Sequence, residues 1–139
     1  MPHKVHNEIL IPEMDILLRE GKDVRFTPTG FSMRPFIEGE KDAVVLRRPS
    51  TFRVGDIVLA SANNQYLLHR IIAINGEHIT LQGDGNLSVT EQCRTADIIG
   101  TVIQIYNADG KPKRLTRGRL WFYLRPCRRI LLKIYRKLL

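Results

Sequence analysis

A serine side chain becomes a nucleophile only when it is held exposed, rigid and beside a base. One stretch of this sequence, Gly30-Phe31-Ser32-Met33-Arg34-Pro35-Phe36-Ile37, has residues suited to holding one. Gly30 permits an unusual backbone path before the serine, Pro35 stiffens the chain after it, and Met33 can seat the turn in a core. By itself this segment also fits a buried turn. A second stretch, YLLHRIIAINGEHITLQGDGN, begins with the alternation of a strand and sets His69 between apolar neighbours with Arg70 beside it. A lone histidine on an apolar strand is more often a core residue than a catalyst. Following a serine motif at a separation that lets two strands of one small sheet meet, His69 becomes a candidate general base. The other histidines carry less: His3 and His6 lie in a terminus expected to fray, and His78 in a turn.

These groups need a scaffold, and the pattern predicts a β-rich one. Six runs, VRFTPTG, DAVVLRR, DIVLASA, YLLHRIIAI, HITLQG and IIGTVIQIY, are separated by turn signals at GEK, VGD, ANNQ, INGE and GDGN. Their spacing predicts a small coiled β-barrel or strongly curled sheet. Ahead of them, Pro12 opens a short helical pattern with Met14, Leu17 and Leu18 on one face, and Gly21 supplies the left-handed stop. The 139 residues show no internal repeat or linker, so one domain is expected over residues 1–139, with its core at about 24–106.

Composition narrows the class. Apolar residues at 43% and charged residues at 26% suit a globular protein, and no stretch has the about 18 consecutive apolar residues of a spanning helix. The N-terminus does not read as a secretory signal, so the expected location is cytoplasmic, with peripheral membrane attachment left open. Cys93 and Cys127 form no CxxC pair; no disulfide, metal or cofactor is expected. The net charge of +8 is uneven. Residues 1–110 hold 11 Lys and Arg against all 14 Asp and Glu, whereas residues 111–139 hold 11 Lys and Arg and no acid. An acidic body with a basic tail argues against a specific nucleic-acid groove and for a C-terminal element that meets an anionic surface.

That tail is helical in period. Leu120, Leu124, Cys127, Leu131, Ile134 and Leu138 are predicted on one stripe, with Arg125, Arg129, Lys133 and Arg136 opposite and a bend at Pro126. Two readings stay open: a helix that closes the core, or an interfacial helix of residues 117–139 on anionic lipid.

GFSMRPFI, VGDIVL, LLHRIIAI, TLQGDGN and ADIIGTVIQI, in that order, resemble the catalytic core of the S26 signal peptidases and their S24 relatives, the LexA-like self-cleaving repressors. The resemblance covers residues 24–106 and implies a serine endopeptidase acting on an extended peptide, with Ser32 as nucleophile. It is greatest to the S26 branch that has histidine followed by arginine where others have a lysine base, which implies His69 as base. The GD-x-N segment, here Gly83 to Asn86, implies Asp84 as the acid that orients His69. That branch carries a second acid a few residues later, where this chain has Thr90; Glu91 could substitute, and otherwise Asp84 would support a Ser-His dyad alone. The oxyanion is expected at the backbone N–H of Ser32 and a second donor near Gly30.

Two rival functions follow from the same residues. Self-cleavage of the LexA kind is not expected, because no Ala-Gly or Cys-Gly pair is present and the residues before Val24 are too few for a helix-turn-helix unit. A weakly active or inactive binding module on the same fold, docking a membrane or partner through its basic tail, is the alternative.

Overall fold

The structure, a computed structural model, describes residues 7–139, with side chains from residue 11 onward; His3 and His6 lie outside the described residues. Helix α1 (Asn7–Arg19) is followed by strands β1 (Val24–Phe26), β2 (Ala43–Arg47), β3 (Ile57–Ala62), β4 (Gln65–Asn75), β5 (His78–Gln82), β6 (Glu91–Arg94), β7 (Ile98–Tyr106) and β8 (Pro112–Lys113). Helices α2 (Arg119–Tyr123) and α3 (Arg128–Leu138) end the chain. The strands form one antiparallel sheet in the order β1-β2-β7-β3-β4-β5-β6, with β8 on β7.

The sheet is curled into a half-barrel. Register shifts at Val45/Leu46, Leu59/Ala60 and Ile71/Ala73 bend its strands, and β3 meets β6 although the two are not paired. Curling explains why β3 reads as an almost unbroken apolar run. Its Ile57 and Leu59 enter a core shared with α1, β1, β2 and β7, while Val58, Ala60 and Ala62 face a second core with Ile71, Ile79, Leu81 and Cys93. Both faces of the strand are covered. The Ala62–Gln65 hairpin turns through Asn63 and Asn64, both at positive φ, the geometry of the tight two-residue connection.

Six strands were legible in the sequence; β6 and β8 were not. The residues of β6, Glu91-Gln92-Cys93-Arg94, carry little apolar signal, and only pairing with β5 makes them a strand. The first helix begins at Asn7, ahead of Pro12, and buries Ile11, Met14 and Leu18 rather than Leu17, which is exposed. At its end Gly21 adopts positive φ, and the N–H groups of Gly21 and Lys22 return to the carbonyls of Leu18 and Leu17.

The tail is interrupted at Pro126 as expected but buries a different face. Pro126 lies in a 3₁₀ turn, Arg125–Cys127, which breaks the helix and rephases it. The buried residues are therefore Trp121, Arg128 and Leu132, and most of the predicted stripe, including Leu120, Ile134 and Leu138, faces outward. Arg128 is buried against the rings of Trp121 and Phe122. Among the described residues no helix is long and apolar enough to cross a membrane.

A partly buried charge cluster ties α3 to the segment that bears Ser32. Arg34 donates to the Glu38 carboxylate through Nε at 3.0 Å and Nη2 at 2.7 Å, and the Tyr135 hydroxyl donates to the same carboxylate at 3.1 Å. The hydrogen bond from Arg34 holds the Glu38 carboxyl below its ordinary range, against the opposing effect of burial. A depressed carboxyl stabilises the fold above the ordinary glutamate range and ceases to do so as pH falls through the lowered value. Replacing Glu38 by Gln should cost about 2 kcal/mol at neutral pH. The gap between wild type and variant in urea denaturation should shrink on acidification, and a gap independent of pH would count against this role.

Candidate active site

Ser32 follows β1 and His69 lies in β4, and the curl of the sheet lets them meet although β2, β7 and β3 separate the two strands. The segment after β1 passes through Gly30 at positive φ and then turns tightly, with Arg34 N–H on the Phe31 carbonyl and Phe36 and Ile37 N–H on that of Met33. Met33 is 4% exposed and anchors the turn in the first core, while Ser32 stays exposed. From β4, the buried His69 places Nε2 3.0 Å from Ser32 Oγ.

The other ring nitrogen settles the direction of that bond. His69 Nδ1 lies 2.5 Å from Glu91 Oε1, and both side chains are more than nine-tenths buried. A carboxylate only accepts, so Nδ1 carries the hydrogen and Nε2 is left to accept from the Ser32 hydroxyl. Glu91 opens β6, the strand absent from the sequence pattern, and its pairing with Leu81 in β5 brings it under the imidazole.

Asp84 does not orient His69. Its carboxylate is taken by Arg70, which donates through Nε at 2.9 Å and Nη2 at 2.7 Å. Strand alternation is the reason: His69 and Arg70 are neighbours in β4 and point to opposite faces, so the carboxylate that meets Arg70 does not also meet the His69 ring. Arg70 is 1% exposed, and its Nη1 also donates to the carbonyls of Gly55 and Thr116, while Trp121 Nε1 donates to the Asp84 carbonyl at 2.8 Å. Burial raises the Asp84 carboxyl above its ordinary range, and the Arg70 hydrogen bonds oppose that rise. Asp84 thus braces the turn of residues 83–86 against β4 and the C-terminal segment.

That turn in turn supports the serine. Gly85 N–H donates to the Ser32 carbonyl at 2.8 Å. A Cβ at Gly83 would lie 2.6 Å from the same carbonyl oxygen and 3.1 Å from His69 Nε2, so only glycine fits. Behind the loop, a Cβ on Gly39 would collide with the Gly30 carbonyl, a requirement with no signal in the sequence. Beside Ser32 and His69 opens a cavity of about 150 Å³, lined among others by Thr29, Gly30, Leu67 and Leu68. The buried Cys93 offers no rival nucleophile, because burial pushes its thiol up to about 11.

The sequence model of the Peptidase S24-like family matches residues 4–103, which takes in the whole site. The chain belongs to the Peptidase S24-like family. No curated protein matches it. In this S24-like chain the family match and the half-barrel agree with the resemblance read from the motifs.

The Arg70–Asp84 pair makes a sharp expectation. Asp84→Asn leaves a fully buried guanidinium without its counter-charge and should destabilise the fold by about 3–5 kcal/mol. Glu91→Gln, which keeps shape and a hydrogen-bonding side chain, should cost much less in the same denaturant titration. Equal losses would place the structural anchor elsewhere.

Proposed function

We propose that this chain is a serine endopeptidase of signal-peptidase-like type, closest to the histidine-base branch, with Ser32 as nucleophile, His69 as general base and Glu91 as the acid that orients it. The observation that carries the reading is the relay Glu91–His69–Ser32, with both ring nitrogens engaged. Neutral His69 takes the proton of Ser32 as Oγ attacks the scissile carbonyl, and the imidazolium that forms is stabilised by Glu91 and then protonates the leaving amine. Water attacks the acyl-enzyme in the reverse sense and frees Ser32. The oxyanion falls to the Ser32 backbone N–H, which has no acceptor among the described residues.

Substrate entry follows the strands. β5 pairs with β4 only from Arg70 to Asn75, so among the described residues the outer edge of β4 from Gln65 to His69 has no strand partner and can take an extended peptide as an added strand. The small cavity beside it suits a small side chain next to the scissile bond. The alternative of an inactive binding module drew on the missing acid at Thr90, and Glu91 at His69 Nδ1 weakens that case. Ser32→Ala and His69→Ala should reduce cleavage of an alanine-rich peptide to background with the fold retained, and Glu91→Gln should lower turnover by about 10⁴-fold. Turnover unchanged in all three variants would remove the reading.

The tail adds a second element to this proposal, peripheral attachment to anionic lipid. Ile130, Ile134 and Leu138 form an exposed row along α3, with Lys137 beside it and Leu120 and Tyr123 exposed on α2. Each Lys or Arg near an anionic surface contributes about 1 kcal/mol, screened by salt. Full-length protein should sediment with vesicles containing phosphatidylserine and not with neutral phosphatidylcholine ones, and Ile130→Ser with Ile134→Ser should abolish it. Equal recovery with neutral vesicles, or none at low salt, would defeat the attachment.

A further inference from the structure

A second depression adjoins the serine and is distinct from the small cavity; no residue lines both. It measures about 590 Å³ and is walled by Phe31, Leu87 and Leu132 together with Arg129, Lys133 and Arg136. Phe31 immediately precedes Ser32, and Gly85, whose N–H holds the Ser32 carbonyl, also lines the depression. The groove therefore begins beside Ser32 and shares no wall with the small cavity.

Its charge is one-sided. Arg34 on the rim is neutralised by Glu38, but Arg129, Lys133 and Arg136 have no carboxylate partner among the described residues. Three cations spaced along one face of α3 thus look into a depression with apolar walls and no acid to answer them. They are not the lipid-facing row, since Ile130, Ile134 and Leu138 lie on a different face of the same helix. We propose that this groove selects acidic residues of the substrate on the leaving-group side of the scissile bond. The proposal rests on the peptidase reading for the site it adjoins. Its chemistry is that of rim electrostatics: carboxylates meet partly exposed cations, which speeds encounter and sets register, while Phe31 and Leu87 cover the apolar parts of the peptide.

The test uses the full chain carrying Ser32→Ala, so that binding is read without turnover, and three fluorescent peptides. One has three alanines followed by three glutamates, one has glutamines in place of the glutamates, and one has the glutamates first. By anisotropy at low salt the first should bind about 10-fold tighter than the other two, an advantage lost in high salt. Adding Lys133→Glu and Arg136→Glu should erase it, and in the chain with Ser32 intact the same pair should lower kcat/KM for the glutamate peptide while sparing the glutamine one. Equal affinity for the glutamate and glutamine peptides, or a preference that survives charge reversal, would overturn the proposal. Equal binding of the order-swapped peptide would overturn the assignment of side. If charge reversal abolished binding to phosphatidylserine vesicles and left peptide discrimination intact, the cations would serve lipid and the proposal would fall. Charge-dependent binding with no cleavage by wild type would instead sink the peptidase reading and leave the groove standing.

Discussion

The buried ion pair between Arg70 and Asp84 is the constraint on which the rest of the structure depends. A guanidinium that is 1% exposed has to find acceptors for its donors, and it finds them in three separate parts of the chain: the Asp84 turn, the Gly55 carbonyl before β3 and the Thr116 carbonyl before α2. The desolvation cost of such a charge is several kcal/mol, so its removal from any one partner is unfavourable, and the three segments are held together as a consequence. The pair is a device for fixing geometry more than a net source of stability.

What it fixes is the serine. With Asp84 anchored, Gly83 and Gly85 lie flush against Ser32, one by close approach and the other by a hydrogen bond to its carbonyl. On the opposite face of β4, His69 is clamped between Ser32 and Glu91. Adjacent residues of one strand thus divide the labour, Arg70 holding the frame and His69 meeting Ser32. Positioning of this kind is where rate is won or lost, because a proton acceptor displaced by an ångström no longer meets its donor.

The C-terminal segment belongs to the same frame. Trp121 donates to the Asp84 carbonyl, Phe36 packs edge-on against its ring, and Tyr135 joins the Arg34–Glu38 pair, so the basic tail is seated on the serine-bearing turn at both of its helices. One side of it packs as a closing helix would, through Trp121, Arg128 and Leu132, and the rest leaves apolar and cationic rows outward on separate faces.

The sequence by itself determined the six main strands, the tight Asn63-Asn64 turn, and Ser32 and His69 as side chains that meet, because these depend on local periodicity, turn chemistry and short motifs that survive in one dimension. It did not determine which acid meets His69. Asp84 lies in the more recognisable segment, but whether a carboxylate reaches the ring depends on which face of β4 it meets, and that follows from the curl of the sheet and the pairing of β6 with β5. The tail was similar: its period was legible, but the 3₁₀ turn at Pro126 reset the phase of α3, so the side it buries, Arg128 and Leu132 with Tyr135 on Glu38, was chosen by packing. Gly39 had no local signal at all. Its need for a missing side chain arises from contact with Gly30, and contacts between segments exist only once the chain has folded.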